Sequence, residues 1–514
     1  MRILKNVVTL ALTVAMAGGI GLGAFPQEAF AAGGVAINAT NFPDKVFRTC
    51  VSKMCDKDKN GTLSQTEIKN VKDLEIDFES KYNVADRPIE SLKGIEFFTE
   101  LKELSCWGNS ISSLDLSKNV KLEELYCDEN DLKSLDLSKN VNLKTLVVGD
   151  YFIGHGNGIK ELDLSKNTKL EVVDCSYNGL KKLVLPKTGT LKELYCTYNK
   201  LEELDLTGCP NIKNLVCHKN NYTKVDISRC SKVKTVYLGQ TVKDLTISCG
   251  QTVIMVENIK GRTITSDNKD ILLVKNDYDS NKILDLIDTN TIADDGDYVE
   301  DSHYFYLKGK SAGETSITII ENKVKHRWKV NIRYKDVTNP SDFWFEPTYY
   351  LTKKDVVKGY DKQTTFKPSN ECTRAQMVTF LWRLSGSPEP KSSKCKFADV
   401  KTGEYYYKAV IWAVEKGITT GSSGNKFNPN GTCTRAQTVT FLWRMADKPE
   451  PQAKSCKFKD VKSSDYFYKA TIWASEKKIV GGYSDGTFKP NDNCLRRQMV
   501  TFLYKYDKYI NGKG

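Results

Sequence analysis

Histidine is scarce: the 514 residues hold only His155, His218, His303 and His326. There is no HExxH, no GxSxG and no defensible nucleophile–base spacing. A histidine-based hydrolase is therefore disfavoured, as is a histidine-held metal. Beyond residue 31 no apolar run approaches the ~20 residues a spanning helix needs. Positive excess is absent from most of the chain. Residues 32–339 carry 44 Lys/Arg against 46 Asp/Glu, whereas Pro340 onward carries 30 against 17, a net +13. Such a field attracts anionic polymers at long range.

What is present begins with Arg2 and Lys5, an apolar stretch from Val7 to Phe25, and the small-residue site Ala29-Phe30-Ala31. This pattern predicts a cleaved secretory signal over 1–31. An exported chain has little occasion to meet nucleic acid, whereas an acidic wall polysaccharide is a natural partner. With the signal removed, no transmembrane segment is expected.

A repeat follows. LKELSCWGN (from Leu101), LEELYCDEN (Leu122), LEVVDCSYN (Leu170), LKELYCTYN (Leu191) and IKNLVCHKN (Ile212) share one template, with degenerate copies at Leu143 and Val233. The spacing is 21 residues, except for one step of 27 that carries an insert around Gly154–Asn157. A single unit cannot bury its leucines, but stacked units share a core. The column Cys106, Cys127, Cys175, Cys196 and Cys217 lies two residues after an inward Leu or Val, so the thiols are expected inside, reduced, as small hydrophobes. Neighbouring strands stand too far apart for disulfides along this column. Alternation predicts an outward recognition face of Trp107, Tyr126, Asp174, Tyr177, Tyr195, Tyr198 and Tyr237. These motifs resemble the leucine-rich-repeat family, which implies a solenoid over 101–240.

Ahead of it stands DKDKNGTLSQTE, Asp56 to Glu67. It resembles the twelve-residue EF-hand loop: Asp56, Asp58, Asn60, Thr62 (through its carbonyl), Ser64 and Glu67 fall at ligand positions, and Gly61 at the sharp turn. The cofactor expected is one structural Ca2+, in a cap over 32–100 that closes the exposed end of the array. Ile89–Ile95 reads as a partial repeat.

From 241 to 335 the leucine period yields to alternating β runs. SDNKDILLV, LKGKSAGETSITII and WKVNI resemble bacterial immunoglobulin-like domains, implying a small β-sandwich spacer.

Three units complete the pattern, at 336–390, 391–451 and 452–514, marked by FKPSNECTRAQMVTFLWR, FNPNGTCTRAQTVTFLWR and FKPNDNCLRRQMVTFLYK. Arg374, Arg435 and Arg496 recur every 61 residues. Each unit reads as a helix pair. An arginine in a helix's first turn opposes the helix dipole, and a bidentate fork for a sugar carboxylate would explain it. The units resemble the S-layer homology family. That resemblance implies attachment to an acidic, in places pyruvylated, secondary wall polysaccharide, with these three arginines as ligand contacts. There are departures. Gln376, Gln437 and Gln498 replace the family's Glu, Leu495 replaces the capping Thr, and GYSDGTF is kept only in unit three. Leu351 stands where Trp412 and Trp473 stand, which puts the first helix of unit one in doubt. Cys395–Cys433 and Cys456–Cys494 are either disulfides or thiols.

The fold class expected is multidomain α+β: a solenoid, a small β-sandwich and a helical triple module. The function expected is a non-catalytic surface recognition or adhesion protein, with an unknown protein or glycan ligand on the repeats. A lattice-forming S-layer subunit and a wall-bound enzyme are the alternatives.

Overall fold

The computed structural model describes residues 34–78, 87–150, 155–233, 235–238, 242–257, 263–277, 303–321, 324–422 and 424–512. The expected signal segment lies outside them.

Helix α1 (Lys45–Met54) starts at Asp44, whose carboxylate accepts the Phe47 N–H, and buries Phe47, Cys50 and Val51. Helix α2 (Gln65–Asn70) opens on a reciprocal capping box between Ser64 and Glu67. Between the two helices, Thr62–Leu63 pairs antiparallel with Val35–Ala36. The cap is fastened to the first coil in two ways. Asp44 also accepts the N–H groups of Glu90 and Ser91 at 2.9 and 3.3 Å. Phe42, fully buried, packs edge-on against Phe47 and against Phe97 and Phe98. Gly94, at φ 107°, leaves room for that ring, because a Cβ there would lie 2.3 Å from Phe42 Cδ1.

The repeats form one parallel sheet from Asp73–Glu75 through Thr235–Tyr237. Pairing is in register from coil to coil: Leu104 opposite Leu125, Leu125 opposite Leu146, Val173 opposite Leu194, Leu194 opposite Leu215. This is the 21-residue period turned into geometry. The array begins earlier than expected, at Leu74, which pairs with Leu104. That first strand is hidden from the period because the calcium-type loop and α2 run directly into it. A second ladder tightens the stack. Asn130 Nδ2 donates to Cys106 O and Asn130 Oδ1 accepts from Ile111 N, and Asn199 and Asn220 repeat the pattern. At the six-residue insert a two-residue strand, Gly149–Asp150, pairs antiparallel with His155–Gly156. It lies so close to the next coil that a Cβ on Gly149 would meet Ser176 O at 1.8 Å.

The expected separate sandwich is not separate. Thr252–Glu257 continues the solenoid sheet in parallel and is followed by His303–Gly309 and Leu272–Asp277. The other layer, Asp244–Ser248, Val324–Arg333, Gly313–Glu321 and Thr263–Ser266, starts by pairing Asp244–Ser248 with the solenoid strand Lys224–Asp226. An open end of a parallel stack offers unpaired N–H and C=O groups, and these strands satisfy them.

The C-terminal units supply helices α3 (Phe345–Lys353), α4 (Arg374–Leu384), α5 (Tyr407–Glu415), α6 (Arg435–Met445), α7 (Tyr468–Glu476) and α8 (Arg496–Tyr509). Unit one does form its first helix, with Leu351 fully buried at the tryptophan position. The expected pairing within units is corrected: α4 packs on α5, α6 on α7, and α8 closes the ring onto α3. Among the described residues no helix is long and apolar enough to cross a membrane.

Candidate functional site

The three units meet at a pseudo-threefold axis made of backbone. Cys372 N donates to Cys494 O, Cys433 N to Cys372 O and Cys494 N to Cys433 O, at 2.8–2.9 Å. All fifteen cysteines are free thiols, so the pairs Cys395–Cys433 and Cys456–Cys494 do not form. Burial pushes Cys433 up to about 11 and Cys494 to about 12, and raises Cys372 well above the usual thiol range. Among the repeat thiols, burial likewise raises Cys106, Cys127 and Cys175. Thiols held protonated are inert core groups.

Each unit opens with a carboxylate clamp. Asp399 accepts the N–H groups of Phe427 and Asn428, and Asp460 those of Phe488 and Lys489. Asp336 does the same for Phe366 and Lys367. None of the three clamps was expected from the sequence. In unit one the segment Tyr334-Lys335-Asp336-Val337 matches Phe458-Lys459-Asp460-Val461 of unit three except for the aromatic residue, and Tyr334 packs on Phe366 as Phe458 packs on Phe488.

The seam arginines sit between units. Arg374 Nε donates to Phe427 O, Arg435 Nε to Phe488 O and Arg496 Nε to Phe366 O, at 2.8–2.9 Å. Arg435 Nη2 also reaches Gly481 O, and Arg496 Nη2 reaches Lys358 O. Exposure is only 5, 3 and 2 % for Arg374, Arg435 and Arg496. The free fork expected from sequence is therefore corrected: each guanidinium is buried at a seam and gives at least one donor to the neighbouring unit. This explains a first-turn arginine, since carbonyls and rings across the seam compensate its poor place in its own helix.

The three seams differ. Tyr483 lies over Arg435 at 5.0 Å and Tyr360 over Arg496 at 4.7 Å. Gln498 Nε2 and Gln376 Nε2 donate to those tyrosine hydroxyls, at 3.3 and 2.8 Å. A Glu could accept there but not donate, so glutamine in place of the family's glutamate has a local use. At the third seam Ser422 takes the tyrosine's place, by its matching backbone bond to Lys426 O, and Arg374 Nη2 is buried without a partner. Thr373 and Thr434 complete capping boxes with Gln376 and Gln437. With Leu495 only half remains, Leu495 N to Gln498 Oε1 at 3.0 Å.

At the other end of the chain, carboxylate oxygens of Asp56, Asp58 and Glu67 come within 4.8 Å of one another. Asp56 accepts from Asn60 N and Gly61 N, and Asn60 Oδ1 from Thr62 N. Ser64 N, the Ser64 hydroxyl and Lys57 N all donate to Glu67, holding its carboxyl down at about 2. Hard oxygens converging in a turn set by Gly61 (φ 80°) suit calcium's demand for many oxygen ligands.

The expected recognition face is reduced. Asp174 and Tyr195 are only 3 % exposed, shut in by adjoining coils, and the side chain of Tyr237 lies outside the described residues. Tyr126 is partly exposed and donates to Glu124, and Trp107 is partly exposed. Tyr177 and Tyr198 remain as a stacked pair, with centroids 4.3 Å apart and His218 edge-on to Tyr198. Both tyrosines adopt left-handed backbone, φ 49° and 50°, at the same turn of successive coils.

The S-layer homology domain family matches residues 333–378, 396–439 and 457–500. The chain carries three S-layer homology domains. The S-layer protein sap of Bacillus anthracis is 32 % identical over 178 residues, 33 % of this chain and 21 % of that one. The exoglucanase XynX of Acetivibrio thermocellus is 26 % identical over 203 residues, 38 % of this chain and 17 % of that one. The chain thus spans about a fifth of the length of the curated relatives it matches. An internalin structure from Listeria monocytogenes aligns at TM-score 0.31 with 17 % identity, over 43 % of this chain and 73 % of that one. The solenoid assignment rests on the register of its own strands. The S-layer homology domains place this protein at the cell surface.

Proposed function

We propose that the chain is a non-catalytic recognition protein, gripping an acidic secondary wall polysaccharide through its S-layer homology domains and displaying the solenoid outward. The observation that carries this reading is the arginine at each seam of a module with net charge +13 from Pro340 onward. The seams at Arg435 and Arg496, roofed by tyrosine, are the stronger polysaccharide sites, and the acidic groups recognised include pyruvyl carboxylates. On the solenoid, the Tyr177–Tyr198 pair is the platform for a protein or glycan ligand. The test is binding of the full chain to purified wall sacculi. Stripping the acidic polysaccharide should abolish binding, and added salt should weaken it. Equal binding to stripped peptidoglycan would refute the assignment.

A lattice-forming subunit is the second reading, favoured by the S-layer proteins among the relatives. It requires two-dimensional arrays of the purified chain by electron microscopy.

The loop Asp56–Glu67 is proposed to hold one Ca2+ through Asp56, Asp58, Asn60, Thr62, Ser64 and Glu67, serving as a structural cap. At a hundredfold excess over its dissociation constant the ion would stabilise the cap by about 2.7 kcal/mol. The N-terminal part of the full chain should melt later with calcium than with chelator, while the helical module melts unchanged. Glu67→Gln should erase the difference. Superimposable melts leave the loop a turn without an ion.

A further inference from the structure

Three successive turns of the solenoid, Ser176–Gly179, Thr197–Lys200 and His218–Asn221, carry no aspartate or glutamate. The turns of the earlier coils differ, since Asp128, Glu129 and Asp131 fall at one of them. Tyr177, Tyr198 and Lys219 occupy the same place in the three turns, each in left-handed backbone at φ 49°, 50° and 54°. Glycine is the residue that such backbone suits, and Gly108 takes that place in an earlier coil. The two tyrosines support each other there, with rings stacked at 4.3 Å and 16° between their planes. Lys219 Nζ lies 5.9 Å over the Tyr198 ring, and His218 stands edge-on to it.

This geometry decides what kind of partner can sit there. A pyranose binds an aromatic ring by laying its C–H face on the ring's face. Both faces of Tyr198 are taken, one by Tyr177 and the other by Lys219. What is left partly exposed is ring edge and hydroxyl. An aromatic edge is the positive part of the ring quadrupole, and a phenol hydroxyl donates. Among the described residues the Tyr198 hydroxyl has no hydrogen-bond partner, and the exposed Lys200 and Lys219 form no ion pair. Burial, with Lys219 adding to it, holds His218 down at about 4, so the positive charge there belongs to the lysines. Edge, hydroxyl and ammonium all seek the same complement, a carboxylate.

We infer that these turns dock an acidic stretch of protein rather than a glycan, an inference that rests on the reading of the solenoid as the outward recognition element. The carboxylates meet the tyrosine edges and pair with Lys200 and Lys219.

The test follows the 19F signals of Tyr177 and Tyr198 in full chain labelled with 3-fluorotyrosine, assigned among the 25 tyrosines by Tyr177→Phe and Tyr198→Phe. A local signal is required, because the basic C-terminal module also attracts polyanions. Hexaglutamate is the probe. Tetra-N-acetylchitotetraose, hexalysine and free glutamate at equal carboxylate concentration are the comparisons. Saturable movement of both signals with hexaglutamate, and with none of the others, is the expected result. Lys200→Gln with Lys219→Gln, two exposed changes where folding is not at stake, should weaken it about fivefold, and added salt should weaken it further. The exposed Lys408→Gln should change nothing. Movement with the chitotetraose alone would overturn the inference and leave the solenoid's recognition role standing. An equal response to free glutamate, or unchanged hexaglutamate affinity in the double lysine variant, would also overturn it. No movement with any probe would overturn both.

Discussion

Single residues here are placed by register, and one of them titrates usefully. Asp77, 4 % exposed, accepts the Ser105 hydroxyl at 2.6 Å and the Trp107 N–H at 3.2 Å. Burial outweighs these bonds and lifts its carboxyl to about 6 from the ordinary 3.8, with Glu75 adding to the rise. Between those values the folded state holds the extra proton, so stability falls as pH rises through the window. The loss is complete above about 6 and amounts to roughly 3 kcal/mol. Hydrogen exchange of the Ile76 and Cys106 amides, both bonded across these coils, should therefore be slower at pH 4.5 than at 7 after correction for intrinsic rates. Asp77→Asn should remove most of that slope. A flat wild-type profile would dispose of the argument. Alternation could say that residue 105 lies on the sheet's outer face, but not that Asp77 would cover it.

Between elements, the seams contribute to stability. Arg435→Ala removes a stacked, doubly hydrogen-bonded side chain and orphans Phe488 O and Gly481 O. A loss of roughly 2–4 kcal/mol is expected in the melting of the helical signal. Tyr483→Ala should cost less, about 1–2 kcal/mol, and Lys408→Ala under about 0.5 kcal/mol. Equal losses for all three would remove the stapling role. Ser422→Tyr should place a ring over Arg374 and raise the melting temperature. The helices themselves were legible from Met377, Val378, Phe380 and Leu381 and from Thr373 as cap. Their partners were not, because hydrophobic period says which face is buried and not which neighbour buries it.

Across the whole molecule, one joint carries the solenoid on the wall module. Arg333 pairs with Asp226 at 2.8 Å, donates to Ser228, and lies over the rings of Phe345 and Tyr349 at 4.7 and 5.6 Å. The side chain thus joins the last coils, the β layer and helix α3. Arg333→Ala should speed proteolysis at Lys335 by at least about tenfold without lowering the melting of the α4–α8 helices. Unchanged cleavage would mean the β layer alone sets the joint.

Local pattern determined the solenoid, the inward thiol column, the twelve-residue loop and the three arginine-marked units, because each is written in residues that need only their own neighbours. The 61-residue recurrence even located the seam arginines. Tertiary structure decided what those residues do. It buried Asp174 and Tyr195 between adjoining coils, merged the β layer with the solenoid sheet by offering it unpaired backbone groups, and turned three expected forks into staples. It also covered both faces of Tyr198, with Tyr177 on one side and Lys219 on the other. Side chains of separate coils meet in this way only once the coils have stacked, because residues 21 positions apart in the chain then stand side by side in the sheet.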